Sequence, residues 1–168
     1  HVVGGFELAD RLAQGDITIM QATPTLWDML LTAGLKPTAG LKMLVGGEPL
    51  PSDLATKLMA GGSELWNMYG PTETTIWSTC AKMEPGTPIH VGGAIANAQL
   101  YVLNDGMQPV APGMAGQLYI AGEGLALGYF GQPELTAKVF SDVTLDGKTS
   151  RLYATGDLAK WGTDGKLF

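Results

Sequence analysis

Between Glu64 and Thr75 the chain gathers the parts from which a nucleotide triphosphate site is made. The apolar stretch Glu64-Leu65-Trp66 reads as the end of a buried strand, and the run Asn67-Met68-Tyr69-Gly70-Pro71-Thr72-Glu73-Thr74-Thr75 follows it directly. Tyr69 offers a flat face for a base. Gly70-Pro71 makes a turn that lets backbone approach a phosphate closely, the threonines bring hydroxyls, and Glu73 brings a carboxylate of the kind that holds Mg2+. Each part also has an ordinary structural reading. Thr72 and Glu73 have the types of a helix N-cap and a first-turn acid. Tyr69 could be core, and Asn67 a strand-end turn residue. The two readings of Thr72 and Glu73 are compatible, because a helix N-terminus favours phosphate.

The segments around this run must position it. Phe6 to Gln14 carries Leu8 and Leu12 at helical spacing and meets Gly15 as a stop. Ile17-Thr18-Ile19-Met20 reads as a short buried strand. Thr25 to Ala33 reads as a second helix, opened by Thr23-Pro24 and closed by Gly34. Leu41 to Val45 is a further strand, Ser52 is the expected cap of a third helix bearing Leu54, Leu58 and Met59, and Leu65 to Met68 is the next strand. Strands separated by single helices imply right-handed βαβ units and a parallel sheet. Ligands of such sheets sit beyond the carboxyl ends of the strands. That rule selects Gln21, the loop Gly46-Gly47-Glu48-Pro49 and the run from Tyr69 to Thr75.

The pattern changes near Pro85-Gly86-Thr87-Pro88. Beyond it Gln99 to Leu103, Gln117 to Ala121 and Arg151 to Tyr153 read as strands between turn signals, with one short helix at roughly Glu134 to Phe140 and a hairpin turn at Thr163-Asp164-Gly165-Lys166. The fold class expected is α/β: a parallel βαβ portion up to about Pro88, followed by a β-rich, mostly antiparallel, distorted-barrel portion.

Composition narrows the class. With 168 residues, 45% of them hydrophobic and 15% charged, the chain can bury a real core and is not a disordered polymer. The net charge of -6, from 10 basic and 16 acidic side chains, argues against a nucleic-acid-coating surface. No apolar run reaches transmembrane length. The lone Cys80 excludes an internal disulfide framework and fits a cytoplasmic, reducing setting. His1 and His90 lack metal-ligand spacing, and one cysteine cannot build a thiolate cluster. Trp161 reads as packing. With His1 rather than Met at the start, the chain reads as a piece of a longer polypeptide.

Four segments in order carry a family resemblance that spans almost the whole chain. They are Gly46-Gly47-Glu48-Pro49-Leu50-Pro51, the Tyr69 run, Gly116-Gln117-Leu118-Tyr119-Ile120-Ala121-Gly122-Glu123-Gly124-Leu125-Ala126-Leu127-Gly128-Tyr129, and Tyr153-Ala154-Thr155-Gly156-Asp157-Leu158. Together they resemble the adenylate-forming superfamily, and most closely the amino-acid-activating adenylation domains of nonribosomal peptide synthetases. Two positions depart from the family pattern: Gln117 stands where Glu is usual, and Leu127 where Arg or Lys is usual.

The resemblance implies a part of the large N-terminal subdomain of such an enzyme. Residues 1–88 would be a partial α/β subdomain with the pocket and adenine loops, and 89–168 a β-barrel-like subdomain. The C-terminal lid subdomain with its catalytic Lys, the Lys-bearing phosphate loop and the Asp that holds the substrate amino group would lie outside these residues, and little activity is expected of the chain alone. Gly47, Glu48 and Pro49 would lie against adenine, Asn67 near its amino group, and Tyr69 and Gly70 at its ring. Thr72 would contact phosphate, Glu73 would hold Mg2+, and Asp157 would take the ribose hydroxyls, although a Thr-Gly-Asp carboxylate is also a common Asx-turn acid.

The family's pocket positions fall on Gln21, Leu44, Gly46, Met68, Ile76 and Trp77. A Trp fills on the order of 200 Å2 of contact, and none of the six is charged. The pattern is similar to pockets for glycine, with alanine next. The implied reaction joins a small amino acid to ATP as an aminoacyl-adenylate and passes it to the phosphopantetheine thiol of a carrier domain. The implied partners are that carrier and neighbouring synthetase domains, with no nucleic acid and no membrane. Two other readings remain at this stage: an acyl- or aryl-CoA ligase of the same superfamily, and a non-catalytic nucleotide-binding remnant.

Overall fold

The computed structural model describes residues 4–168, and His1 lies outside them. The chain divides into two compact units. One holds the residues up to Met68 together with Ala81–His90, and the other holds Tyr69–Cys80 and Val91–Phe168.

The first unit alternates helix and strand. It runs α1 (Gly5–Ala13), β1 (Ile19–Ala22), α2 (Pro24–Thr32), β2 (Lys42–Gly46), α3 (Ser52–Met59) and β3 (Glu64–Tyr69), whose last residue, Tyr69, belongs to the other unit. The strands lie side by side in the order β1-β2-β3, all parallel, with Gln21 opposite Leu44 and Leu44 opposite Trp66. Side chains alternate across a strand, so the register sorts this sheet into two faces. Ala22, Met43, Val45 and Leu65 are buried, and they join Trp27, Leu30, Leu54 and Leu58 of the helices in one core. Burying side chains of that size contributes about 1.5–3 kcal/mol each. Gln21, Leu44, Gly46, Trp66 and Met68 stand on the other face by the same register.

Local chemistry sets the helix ends. Thr23 caps α2 by accepting from the Leu26 amide at 3.2 Å, with Pro24 in the first turn, an arrangement worth about 1 kcal/mol. Ser52 does not cap α3. Pro51 holds the extended N-cap position without a side-chain bond, and Ser52 is already helical. The first strand runs two residues later than its apolar run suggests, because pairing with β2 begins at Ile19 opposite Lys42. Ile17 instead packs on the core from the preceding loop.

Thr79 and Cys80, the second-unit residues of β4 (Thr79–Lys82), pair antiparallel with β5 (Gly93–Ala94). The remaining strands are β6 (Ala98–Leu103), β7 (Gly116–Gly122), β8 (Phe140–Leu145) and β9 (Lys148–Ala159), with α4 (Pro133–Val139) before β8. These four strands form a separate antiparallel sheet in the order β6-β7-β9-β8. Val102, Leu118, Ile120, Ala159 and Leu167 make a core on one side, and Leu103, Ala121 and Leu152 make another. The β-rich portion is thus antiparallel, as its turn spacing predicts. Three strands are additional to those expected, β4, β5 and β8; β8 folds back on β9 around Asp146-Gly147, a two-residue loop of the kind hairpins favour.

Candidate functional site

In the second unit, Tyr69 ends β3 and meets Asp157, 88 residues later: its hydroxyl donates to Asp157 Oδ2 at 2.6 Å. Two features make this possible. On β7, Gln117 pairs with Leu158 and Tyr119 with Ala154, so β9 carries two extra residues against its partner. The Thr155-Gly156-Asp157 segment is this bulge, with Gly156 at φ 82. Bulges re-aim side chains at the edges of sites. Here Thr155 Oγ1 donates to the Leu118 carbonyl at 2.9 Å and accepts from the Asp157 amide at 3.0 Å. Burial, reinforced by the Asp157 carboxylate, pushes the Tyr69 phenol well above its ordinary pKa, so it stays a donor at neutral pH.

The second feature is the turn after Tyr69. Gly70 lets the chain double back on itself: a Cβ there would fall 2.6 Å from both the Ile76 carbonyl oxygen and the Ser78 nitrogen. Thr72–Thr74 form a single 3-10 turn whose N-cap is Pro71, so Thr72 is not the capping residue and no long helix follows. The turn is closed by the Ser78 amide on the Tyr69 carbonyl at 2.8 Å and by the Thr74 and Ser78 hydroxyls at 2.5 Å. Thr75 and Ile76 both take positive φ, 62 and 74, a conformation β-branched residues rarely adopt. Trp77 follows, half-buried, its amide on the Thr75 carbonyl.

Glu73 lies in the 3-10 turn and accepts a hydrogen bond from the Tyr129 hydroxyl. That bond, with a smaller one from Tyr153, holds its carboxyl below the usual carboxylate range. The Tyr153 phenol is pushed up by burial and by the negative charge of Glu73. The sequence motifs alone assign neither tyrosine a role. The available signal was that both sit inside the motif segments, Tyr129 closing the third and Tyr153 opening the fourth. Among the described residues no three His, Cys, Asp or Glu side chains gather as metal donors. Glu73 is a single carboxylate on this turn, next in sequence to Thr72. This suits Mg2+, which is commonly held by one or two carboxylates plus the phosphates of its substrate.

In the first unit the sheet register brings Gln21, Leu44, Gly46 and Met68 to one face. Gln21 is exposed and Leu44 and Met68 are half-buried. Glu48 is exposed and tied back to α2: its Oε2 accepts from the Thr25 hydroxyl at 2.6 Å and the Thr25 amide at 3.2 Å. Those bonds hold its carboxyl below the usual range and fix the Gly47-Glu48-Pro49 loop. Asn67 faces the opposite, buried side, and its side-chain amide donates to the His90 carbonyl at 2.9 Å. Gln117 sits half-buried where the bulge begins, and Leu127 is almost fully exposed.

Comparison with known proteins supplies the family. The family described as AMP-binding enzyme matches residues 5–130. A dimodular nonribosomal peptide synthase of Bacillus subtilis (strain 168) is 50% identical over 162 residues, covering 95% of this chain and 7% of that protein. A holo four-domain nonribosomal peptide synthetase solved with AMP and glycine superposes with a TM-score of 0.89 at 45% identity, over 97% of this chain and 12% of that one. A synthetase protein containing adenylation and PCP domains superposes with a TM-score of 0.86 at 27% identity, over 99% and 35%. The chain thus spans a small part of the length of each of these relatives.

Proposed function

From the premise that this chain belongs to the AMP-binding enzyme family, among the adenylation domains of nonribosomal peptide synthetases, we propose that it supplies nucleotide and substrate contacts of an ATP-dependent amino-acid-activating ligase whose amino acid is glycine. The observation that carries the nucleotide part is the Tyr69–Asp157 hydrogen bond. It sets an aromatic face and a carboxylate side by side, as an adenosine requires.

In this reading the Tyr69 ring stacks on adenine, beside the backbone of Gly70. Asp157 keeps acceptor capacity for the ribose hydroxyls after taking the Tyr69 proton donor. Gly47, Glu48 and Pro49 present backbone to the base, the Glu48 carboxylate being engaged by Thr25. Asn67 holds the strand end beside Tyr69. The Thr72 hydroxyl donates to a phosphate oxygen, and Glu73 would hold Mg2+, which when bound would neutralise charge on the phosphates. The amino acid carboxylate attacks the α-phosphorus and pyrophosphate leaves. A carrier-domain phosphopantetheine thiol then takes the aminoacyl group and AMP leaves. The work would belong to the cytoplasm, on a multidomain synthetase with its carrier and neighbouring domains.

Glycine is supported by two facts. One similar structure was solved with AMP and glycine. In this chain, Gln21, Leu44, Gly46, Met68, Ile76 and Trp77 offer no charge to pair with a charged side chain, which would then be costly to bury. ATP–pyrophosphate exchange by the full-length protein, screened over the amino acids and simple aryl acids, tests the reading. Exchange is expected with glycine and weakly with alanine. Exchange only with a large or charged amino acid, or only with an aryl acid, refutes the substrate assignment.

A further inference from the structure

We propose that Tyr129 is a positioning residue for Glu73, held in place by Arg151 through the loop that joins β7 to α4. The inference rests on the reading of Glu73 as the metal-holding carboxylate and goes beyond it.

The Tyr129 hydroxyl donates to Glu73 Oε1 across 56 residues of chain. A carboxylate has about four acceptor sites, so one phenol can hold Glu73 in a single orientation and still leave sites for a cation. Without that bond Glu73, on a short 3-10 turn, keeps its rotamer freedom. Tyr129 is itself fixed from several sides. Its amide donates to Thr136 Oγ1 at 2.9 Å, and its ring meets Phe140 edge-on at 6.2 Å.

The loop that carries Tyr129 is also laced to the Glu73 turn. The Ala126 amide donates to the Glu73 carbonyl at 2.8 Å, and Thr75 Oγ1 donates to the Gly124 carbonyl at 2.6 Å. Arg151 clamps the loop from β9, its guanidinium donating to the Ala126 carbonyl at 2.6 Å and the Leu127 carbonyl at 2.8 Å while lying 4.4 Å from the Phe140 ring centroid. Arg151 therefore uses its planar fork on two successive carbonyls, which a lysine cannot reproduce.

The test uses the full-length protein and isosteric Tyr129→Phe, with Arg151→Lys as a second variant and Glu73→Ala as the control for the underlying reading. Calorimetry measures ATP affinity with and without Mg2+, and exchange measures the Mg2+ concentration for half-maximal rate. For Tyr129→Phe we expect unchanged affinity for metal-free ATP, an unchanged amino acid KM, and about a tenfold rise in the Mg2+ requirement, the scale of losing a hydrogen bond to a charged group. Arg151→Lys should shift the Mg2+ requirement the same way by less. If Glu73→Ala raises the Mg2+ requirement and Tyr129→Phe leaves it unchanged, the positioning role is wrong while Glu73 keeps its metal. If Glu73→Ala also leaves it unchanged, the metal assignment itself fails, and the positioning proposal with it.

Discussion

The Tyr69 hydroxyl and the Asp157 carboxylate are 2.6 Å apart although 88 residues separate them. One group therefore both offers a ring face and orients a carboxylate, and the two cannot be altered independently. In the full-length protein, Asp157→Ala is expected to weaken ATP binding by about 1–3 kcal/mol and Tyr69→Phe by about 1 kcal/mol. Residues that share one hydrogen bond are not additive, so the double variant should lose less than the sum. Strictly additive losses in calorimetric affinity would break the coupling.

Trp77 follows the strained turn and is half-buried. Cutting it to Ala should raise exchange with larger apolar amino acids relative to glycine. One methylene in a tight pocket is worth only about 1–3 kcal/mol of discrimination, so the wild-type protein should already accept some alanine. Unchanged relative rates across amino acids in Trp77→Ala would remove Trp77 from the pocket.

Alkaline pH should expose the buried phenols. Folding raises the pKa of both Tyr69 and Tyr153, mainly by burial. A raised acid stabilises the fold fully below its unfolded value, near pH 10 for tyrosine, and that contribution is lost as pH rises through the folded value. Urea unfolding between about pH 8 and 11 should show stability falling above about pH 10, and Tyr69→Phe should flatten the fall. A fall equally steep in the variant would contradict the burial of the Tyr69 hydroxyl.

Ile76 adopts φ 74 and is 62% exposed, so its side chain gains little burial for a costly backbone. Left-handed backbone costs a non-glycine residue about 1–2 kcal/mol, while glycine adds about 0.5–1 kcal/mol of unfolded-state entropy. Ile76→Gly should therefore leave stability unchanged or raise it by up to about 1 kcal/mol in urea unfolding. A loss of 2 kcal/mol or more, on the scale of a buried side chain, would show that the Ile76 side chain packs.

The sequence by itself determined the alternation of helix and strand, the change to antiparallel strands and the four motif segments. These signals are local: apolar period, capping residues and turn dipeptides act within a few positions. The Asp146-Gly147 signal for β8 was also there to be read. What only the tertiary structure decided is the choice of partners. Parallel pairing of β1 with β2 moved the first strand past Ile17. The two extra residues in β9 aimed Asp157 at Tyr69, and the loop after β7 brought Tyr129 to Glu73. The side-chain amide of Asn67 went to the buried His90 carbonyl, because the register puts Asn67 on the face of Leu65 and Val45. Each outcome depends on register between segments tens of residues apart, and a one-residue slip would reverse every face.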